Sequence, residues 1–324
     1  MKVLVFDTDE AVREVFNSVS GVEYVYFDHP IKVEDLAAHP DAGVISLFVS
    51  SELKKAEIDL VPGLKYIIAR STGTDHIDTE YAKSKGIVVK NVAKYGAHTV
   101  AEFTFALLLM LSRRTFDAFS RVRTAGNFDT KGLEGFDLFG KTLGVIGTGA
   151  IGRNVISIAR GFGMTIRMFD LYPDTSLETE SSRYVTLDEL YAASDIISLH
   201  VPYTPENHHL LNAAVFKKLK KGVYIVNTAR GELIDTEALV EAISSGVVSG
   251  AGLDVLEEER TLKNEAGAVS GIESTHQLKV LLNDHVLIDM PRVVVTPHIA
   301  YFSKEAYHEI LMTSAENIRS SISA

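Results

Sequence analysis

Thr142-Leu-Gly-Val-Ile-Gly147-Thr-Gly149-Ala-Ile-Gly152, followed at 168–170 by Met-Phe-Asp, is the stretch on which the reading of this chain turns. Leu143, Val145 and Ile146 make a short apolar strand pattern that ends in G-x-G-x-x-G, and a helical pattern then runs to Arg160. A second short strand, Thr165 to Phe169, ends at the carboxylate of Asp170. Each piece has a mechanical task in a dinucleotide site. Gly147 permits the tight turn, Gly149 lets the backbone approach a pyrophosphate, and Gly152 lets the helix lie close to the sheet. The free N–H groups and the positive dipole end of that helix face the diphosphate. Asp170 lies eighteen residues past Gly152, where its carboxylate can accept both hydroxyls of an adenosine ribose. Glycines alone also fit a plain strand-to-helix turn. The flanking strands and the acid at that distance decide for the nucleotide.

The same acid bears on cofactor choice. A carboxylate there repels a 2′-phosphate, and Leu171 and Tyr172 supply no cation to bind one, so the pattern predicts NAD rather than NADP. At 324 residues the chain has the length of two domains, each able to bury its own core. Its 23% charged and 46% hydrophobic residues are ordinary for a soluble globular protein. A net charge of −11 argues against nucleic acid or an anionic membrane as partner, but not against an anionic substrate held by local cations. The absence of cysteine excludes disulfides, thiolate catalysis and cysteine metal sites, and no metal is expected. The N-terminus, Met1-Lys-Val-Leu-Val-Phe-Asp7, reads as a strand at once and not as a signal peptide. The longest apolar run, Phe103 to Leu111, is too short to span a bilayer, so a cytoplasmic protein is expected.

Strand and helix patterns alternate along nearly the whole chain, which predicts α/β layers with parallel sheets. The first block offers strands at Lys2–Phe6, Glu23–Phe27, Gly43–Phe48, Lys65–Ala69 and Ile87–Val89. One long amphipathic helix from His98 to Ala125 is expected next, followed by a glycine-punctuated loop. After Asp170, strands recur at Asp195–Leu199, Val223–Val226, Ser249–Asp254 and Val293–Thr296. A last helix, about Ser303 to Ser320, has no strand of its own beside it and is expected to return to the first block. Residues 257–290 break the rhythm; their charged start, Glu257-Glu-Glu-Arg260, also fits a solvated face, and a helical pattern surrounds Gln277–Asn283.

In an open parallel sheet, ligands collect beyond the carboxyl ends of the strands. Arg230, Glu259 and His298 follow three such ends. Cation, carboxylate and imidazole together suit interconversion of a carbonyl and an alcohol. A guanidinium can hold a carboxylate bidentately. An imidazole can give the proton a developing alkoxide requires, and a neighbouring carboxylate favours its charged form and fixes its tautomer. Singly, each residue also fits an unremarkable loop position; their joint placement downstream of the glycine motif carries the reading.

Over essentially its whole length the chain resembles the D-isomer-specific 2-hydroxyacid dehydrogenases. Asn227-Thr-Ala-Arg-Gly231 is similar to the segment carrying that family's substrate-binding arginine, which would be Arg230. Gly252-Leu-Asp-Val255 through Glu259 resembles the segment ending in the catalytic glutamate, and Pro297-His-Ile-Ala300 the segment with the acid/base histidine, here His298. His200, Val201 and Pro202 match the strand end bordering the nicotinamide. The resemblance implies further cofactor contacts at Ala150, Ile151, Asn207, Thr228, Ala229 and Asp254. Arg70-Ser-Thr-Gly-Thr-Asp-His-Ile-Asp78 resembles the loop whose amides, at Thr72 and Gly73, take the substrate carboxylate, a role suited to an anion nest.

Where many members have proline after the glutamate, this chain has Arg260 and a long segment to 290, a pattern closer to the D-lactate dehydrogenase branch. Tyr95 and Tyr301 resemble that branch's substrate-facing tyrosines. The resemblance implies two Rossmann/flavodoxin-like domains with a cleft between them, residues 1–97 plus 300–324 for substrate and 98–299 for NAD. It implies reduction of a small 2-keto acid, pyruvate first, and a homodimer built on the 98–125 helix. Two alternatives stand beside it: a glyoxylate or hydroxypyruvate reductase, and a non-enzymatic NAD-sensing regulator of the same fold.

Overall fold

The computed structural model describes residues 1–93, 95–257, 259, 262 and 275–322. The chain divides into two compact units, Met1–Gly96 with Phe302–Ala324, and Ala97–Tyr301. Each is an α/β layer structure around a parallel sheet, the fold class expected from the alternation.

The first unit holds β1 (Lys2–Val5), β2 (Glu23–Tyr26), β3 (Val44–Leu47), β4 (Tyr66–Ala69) and β5 (Val88–Lys90), ordered β2-β1-β3-β4-β5. β3 is buried along its whole length, and β1 and β4 nearly so, because strands covered on both faces need apolar residues at every position. Alternation sends Leu4, Ile45 and Ile67 to one core, and Val3, Val5, Val44 and Ile68 to the other. The second core is completed by Leu311, Ala315 and Ile318 of the helix Lys304–Ile322.

The second unit holds β6 (Thr142–Ile146), β7 (Thr165–Phe169), β8 (Ser182–Tyr184), β9 (Ile196–Leu199), β10 (Val223–Asn227), β11 (Val248–Leu253) and β12 (Val293–Val295). Their order is β12-β11-β10-β9-β6-β7-β8, so the chain direction across the sheet reverses between β6 and β9. That reversal is the topological switch point at which a doubly wound sheet opens a crevice. The helix Ala97–Arg113 lays Leu107, Leu108 and Leu111 against Leu143, Val145 and Val226. Gly252 permits its close approach, since a Cβ there would sit 3.1 Å from that of Leu107.

Two sequence expectations need correction. The helix expected over 98–125 is two, Ala97–Arg113 and Thr115–Ala125, broken at Arg114 with φ 51. Arg114 is held in that turn by hydrogen bonds from Nε to Asp117 (2.8 Å) and from a terminal nitrogen to the Gly132 carbonyl (2.6 Å). The edge strand β8 was not in the pattern. It has three residues and lies at the sheet edge beside β7. The helical pattern near Gln277 extends over Thr275–Asp289; residues 258, 260, 261 and 263–274 of the expected insertion lie outside the described residues. No helix among the described residues is long and apolar enough to cross a membrane.

Candidate active site

The glycine turn joins β6 to the helix Ala150–Gly161, and its three glycines differ in what surrounds them. Gly147 has φ +97, and a Cβ on it would press on the His200 carbonyl (2.5 Å) and Val201 Cγ1 (2.9 Å). A Cβ on Gly152 would overlap the Gly147 carbonyl oxygen. Gly149, the residue before Ala150 and Ile151 and the N-cap of the helix, has no neighbouring atom within 4 Å of where its Cβ would be. Protein packing thus explains two of the glycines and leaves Gly149 open. An open glycine at a helix N-terminus is what a diphosphate pressed against the backbone requires, so the turn fits a dinucleotide.

Asp170 follows β7 and faces that turn. Its carboxylate accepts the Thr148 N–H (2.6 Å), the Thr148 hydroxyl (3.0 Å) and the Tyr172 N–H (2.9 Å). Partial burial works against its charge, but the donors of Thr148, Tyr172 and Leu171 together outweigh burial and hold the carboxyl below its usual range. The anion is oriented before any ligand arrives. His200 follows β9, donates its N–H to the Ile146 carbonyl (2.7 Å), and has Nε2 2.8 Å from the Ser198 hydroxyl. Burial pushes this imidazole down to about 3, which leaves it neutral. Val201 lies beside Gly147, while Pro202 and Asn207 form a self-closed turn. The Asn207 amide donates to the Pro202 carbonyl (2.8 Å) and accepts the Thr204 N–H (2.8 Å).

Arg230, Glu259 and His298 follow β10, β11 and β12, three adjacent strands. After β10, the Asn227 side chain accepts the Ala229 N–H (3.0 Å) and donates to the Arg230 carbonyl (2.7 Å), closing the turn that presents the guanidinium. One guanidinium nitrogen donates to the Ala229 carbonyl (2.7 Å). Thr228 is buried, with its hydroxyl 3.0 Å from that of Thr104 on the helix Ala97–Arg113. A Cβ on Gly231 would overlap the Leu256 carbonyl, so the Arg230 turn lies directly on the strand-end segment leading to Glu259.

The loop carrying His298 is held by a buried carboxylate. Asp254 accepts the Thr296 hydroxyl (2.6 Å), the Ile299 N–H (3.0 Å) and the Ala300 N–H (2.8 Å). Burial raises its carboxyl above the usual range, against the pull of those donors and of His298. His298 itself has φ 55 and donates its N–H to the Asp254 carbonyl (2.8 Å). Its Nδ1 lies 2.7 Å from Glu259 Oε1, which joins two of the three expected groups and leaves Nε2 as the ring's other proton-bearing position.

In the first unit, the loop after β4 is pinned on both sides of Thr72. The Thr72 hydroxyl donates to the Val92 carbonyl (3.0 Å), the Asn91 amide to the Thr72 carbonyl (2.7 Å) and the Ser71 hydroxyl to the Gly73 carbonyl (2.7 Å). Arg70, just before, is buried, and burial pulls its guanidinium down to about 10 against the charge of Asp7. It donates to the carbonyls of Phe6 (2.6 Å) and Asp7 (2.9 Å) and to the Ser46 hydroxyl (3.2 Å), so it ties β1, β3 and β4 together beneath the loop. Tyr95 and Tyr301 are half-buried.

One pair escaped the sequence reading. His209 Nε2 lies 2.7 Å from Glu257 Oε1, and the Thr236 hydroxyl donates to Glu257 Oε2 (2.8 Å). The run Glu257-Glu-Glu-Arg260 also fits a solvated face, yet the Glu257 side chain is 7% exposed. The glutamate gave no separate signal, being one acid in a row of three.

Residues 105–300 match the family model described as D-isomer specific 2-hydroxyacid dehydrogenase, NAD binding domain. A D-lactate dehydrogenase of Escherichia coli is 36% identical over 98% of this chain and 96% of its own length. An aromatic 2-oxoacid reductase of Clostridium sporogenes is 38% identical over 79% of this chain and 75% of its own. The solved D-lactate dehydrogenase of Aquifex aeolicus, complexed with NAD and lactic acid, superposes with a TM-score of 0.87 at 34% identity, covering 99% of this chain and 95% of that one.

Proposed function

The chain belongs to the D-isomer-specific 2-hydroxyacid dehydrogenases, which are NAD-dependent oxidoreductases, and from that premise we propose that it is a D-lactate dehydrogenase, reducing pyruvate to D-lactate. The observation that carries the reading is the 2.7 Å contact of His298 Nδ1 with Glu259, on a strand end next to the turn of Arg230. With Nδ1 taken by the carboxylate, His298 presents Nε2 to the substrate and donates its proton to the carbonyl oxygen as negative charge builds there. Glu259 keeps the ring oriented and compensates the imidazolium. Arg230 holds the carboxylate of the keto acid through its planar fork. Bound NADH supplies the hydride that the carbonyl carbon accepts.

For the cofactor, Gly147, Gly149, Ala150, Ile151 and Gly152 are assigned to the diphosphate and Asp170 to the adenosine ribose. His200, Val201, Pro202, Asn207, Thr228, Ala229 and Asp254 are assigned to the nicotinamide end. The first unit is assigned to the substrate, with the amides of Thr72 and Gly73 and the ring of Tyr95; Tyr301 is assigned to the small methyl group. A homodimer completes the proposal. Its support is an apolar stripe at helical spacing, Phe116, Phe119 and Val122, which are 55%, 60% and 40% exposed on a helix with no buried residue.

The test is a panel of pyruvate, glyoxylate, hydroxypyruvate and phenylpyruvate followed by NADH absorbance, with chiral analysis of the products. Pyruvate is expected to give the highest kcat/KM and a D product. A clear preference for phenylpyruvate would move the chain toward its aromatic-acid relative, and an L product would overturn the assignment.

A further inference from the structure

The segment after β11 carries two glutamates two residues apart, and each is met by a histidine from a distant loop. Glu259 meets His298, and Glu257 meets His209, both at 2.7 Å. Both histidines have left-handed backbones, with φ 55 and 52. A side-chain-bearing residue in that conformation costs ~1 kcal/mol, so the surrounding structure must hold it there. In the first pair the reason is the reactive ring. In the second the imidazole is aimed at a carboxylate that is 7% exposed.

Glu257 is gripped from two sides. Oε1 takes His209, and Oε2 takes the hydroxyl of Thr236 at the first turn of the helix Thr236–Ser244. His209 is likewise fixed. Its N–H donates to the Glu232 carbonyl (2.9 Å), and two residues on Leu211 donates to Leu233 (3.0 Å), which staples its loop to the turn that follows Arg230. The same turn presses Gly231 against the Leu256–Glu257 backbone with no room for a Cβ. Three segments therefore meet at one nearly buried carboxylate: the loop after Asn207, the Arg230 turn and the stretch that ends in Glu259. Such charge-assisted contacts hold their partners more firmly than neutral ones.

We propose that His209 and Glu257 form a positioning clamp that fixes the backbone at Leu256 and Glu257 so that the Glu259 carboxylate reaches His298 Nδ1. This rests on the proton-transfer reading above. Neither residue touches substrate in this scheme; both act through Glu259. Misplacing a carboxylate by about 1 Å can cost up to about a hundredfold in rate, so the clamp is worth a measurable share of turnover.

A double-mutant cycle tests it on the full-length chain. His209→Leu removes the donor to Glu257, His209→Gln retains one, and Glu257→Gln is a nearly isosteric second route should His209→Leu fold poorly. The expected result is a kcat lower by about tenfold to a hundredfold in His209→Leu and Glu257→Gln, with the NADH Kd within about twofold of wild type. His209→Gln should recover most of the loss. In a Glu259→Gln background, His209→Leu or Glu257→Gln should lower kcat no further, because the group they position is already gone. A full additional loss in that background, or a loss confined to NADH affinity, would overturn the clamp. The proton-transfer reading fails separately, if Glu259→Gln alone leaves kcat unchanged.

Discussion

Two regions beyond the carboxyl ends of the second sheet's strands hold their candidate functional groups by different means. Beyond β6 and β7, one continuous stretch from Thr142 to Asp170 does the work with backbone amides, a tight turn and one carboxylate. Beyond β10, β11 and β12, side chains hold loops across long separations, 39 residues from Glu259 to His298 and 46 from Asp254 to Ala300. The first region is limited by space: a Cβ has nowhere to go at Gly147 or Gly152. The second is limited by charge, because each buried or half-buried carboxylate must keep its donors. Substitutions should therefore separate at the key positions, with NADH binding moved at Gly149 and Asp170 and turnover at His298.

The largest separation is expected from His298→Ala. Loss of a general acid should lower turnover by about 10²–10⁴ while NADH affinity, read by fluorescence titration, stays near wild type. Equal losses in both would dissolve the contrast. Asp254→Asn comes next. An amide nitrogen would replace one acceptor and face a backbone N–H, so unfolding free energy should fall by about 1–3 kcal/mol in urea titrations, with turnover falling alongside. An unchanged midpoint would mean that the 296–300 loop holds itself.

The glycines sharpen the comparison from the other side. Gly152→Ala forces the helix from the turn and should lower stability by about 1–3 kcal/mol. Gly149→Ala has room in the protein, so Tm should stay near wild type while the NADH Kd rises on the order of tenfold. If Gly149→Ala bound NADH normally, no diphosphate would approach there. Asp170→Ala is the smallest change, about a fivefold weaker NADH Kd with a relaxed preference over NADPH. Because hydrogen bonds keep this carboxyl below its usual range, the ratio of mutant to wild-type NADH Kd should be flat between about pH 5 and 8. The ratio should shrink only as pH falls through the lower folded-state value and Asp170 takes up its proton. A ratio that changed near neutrality would point to another group.

The same contrast explains what the sequence disclosed. The glycine turn, the strands and the acid after β7 were legible because spacing alone specifies them. Arg230, Glu259 and His298 were legible as strand-end residues, but the donors that hold Asp254 were not, since they come from a loop more than forty residues away. His209 and Glu257 were invisible for the same reason: a histidine in a loop and an acid among acids have no periodicity to read. The break at Arg114 also had no local cue. Ser112-Arg-Arg-Thr115 contains neither glycine nor proline, and the turn depends on contacts with Asp117 and Gly132. β8 was too short for its alternation to register.

The strand order has a practical corollary for redesign. Asp170 follows β7, on one side of the β6–β9 reversal, whereas Arg230, Glu259 and His298 follow strands on the other. Retargeting the chain to a phosphorylated nucleotide, by exchanging Asp170 and its neighbours for small and basic residues, should leave the contact of His298 with Glu259 in the opposite half intact. The two choices, which reductant to accept and which acid to reduce, can then be re-engineered as separate modules.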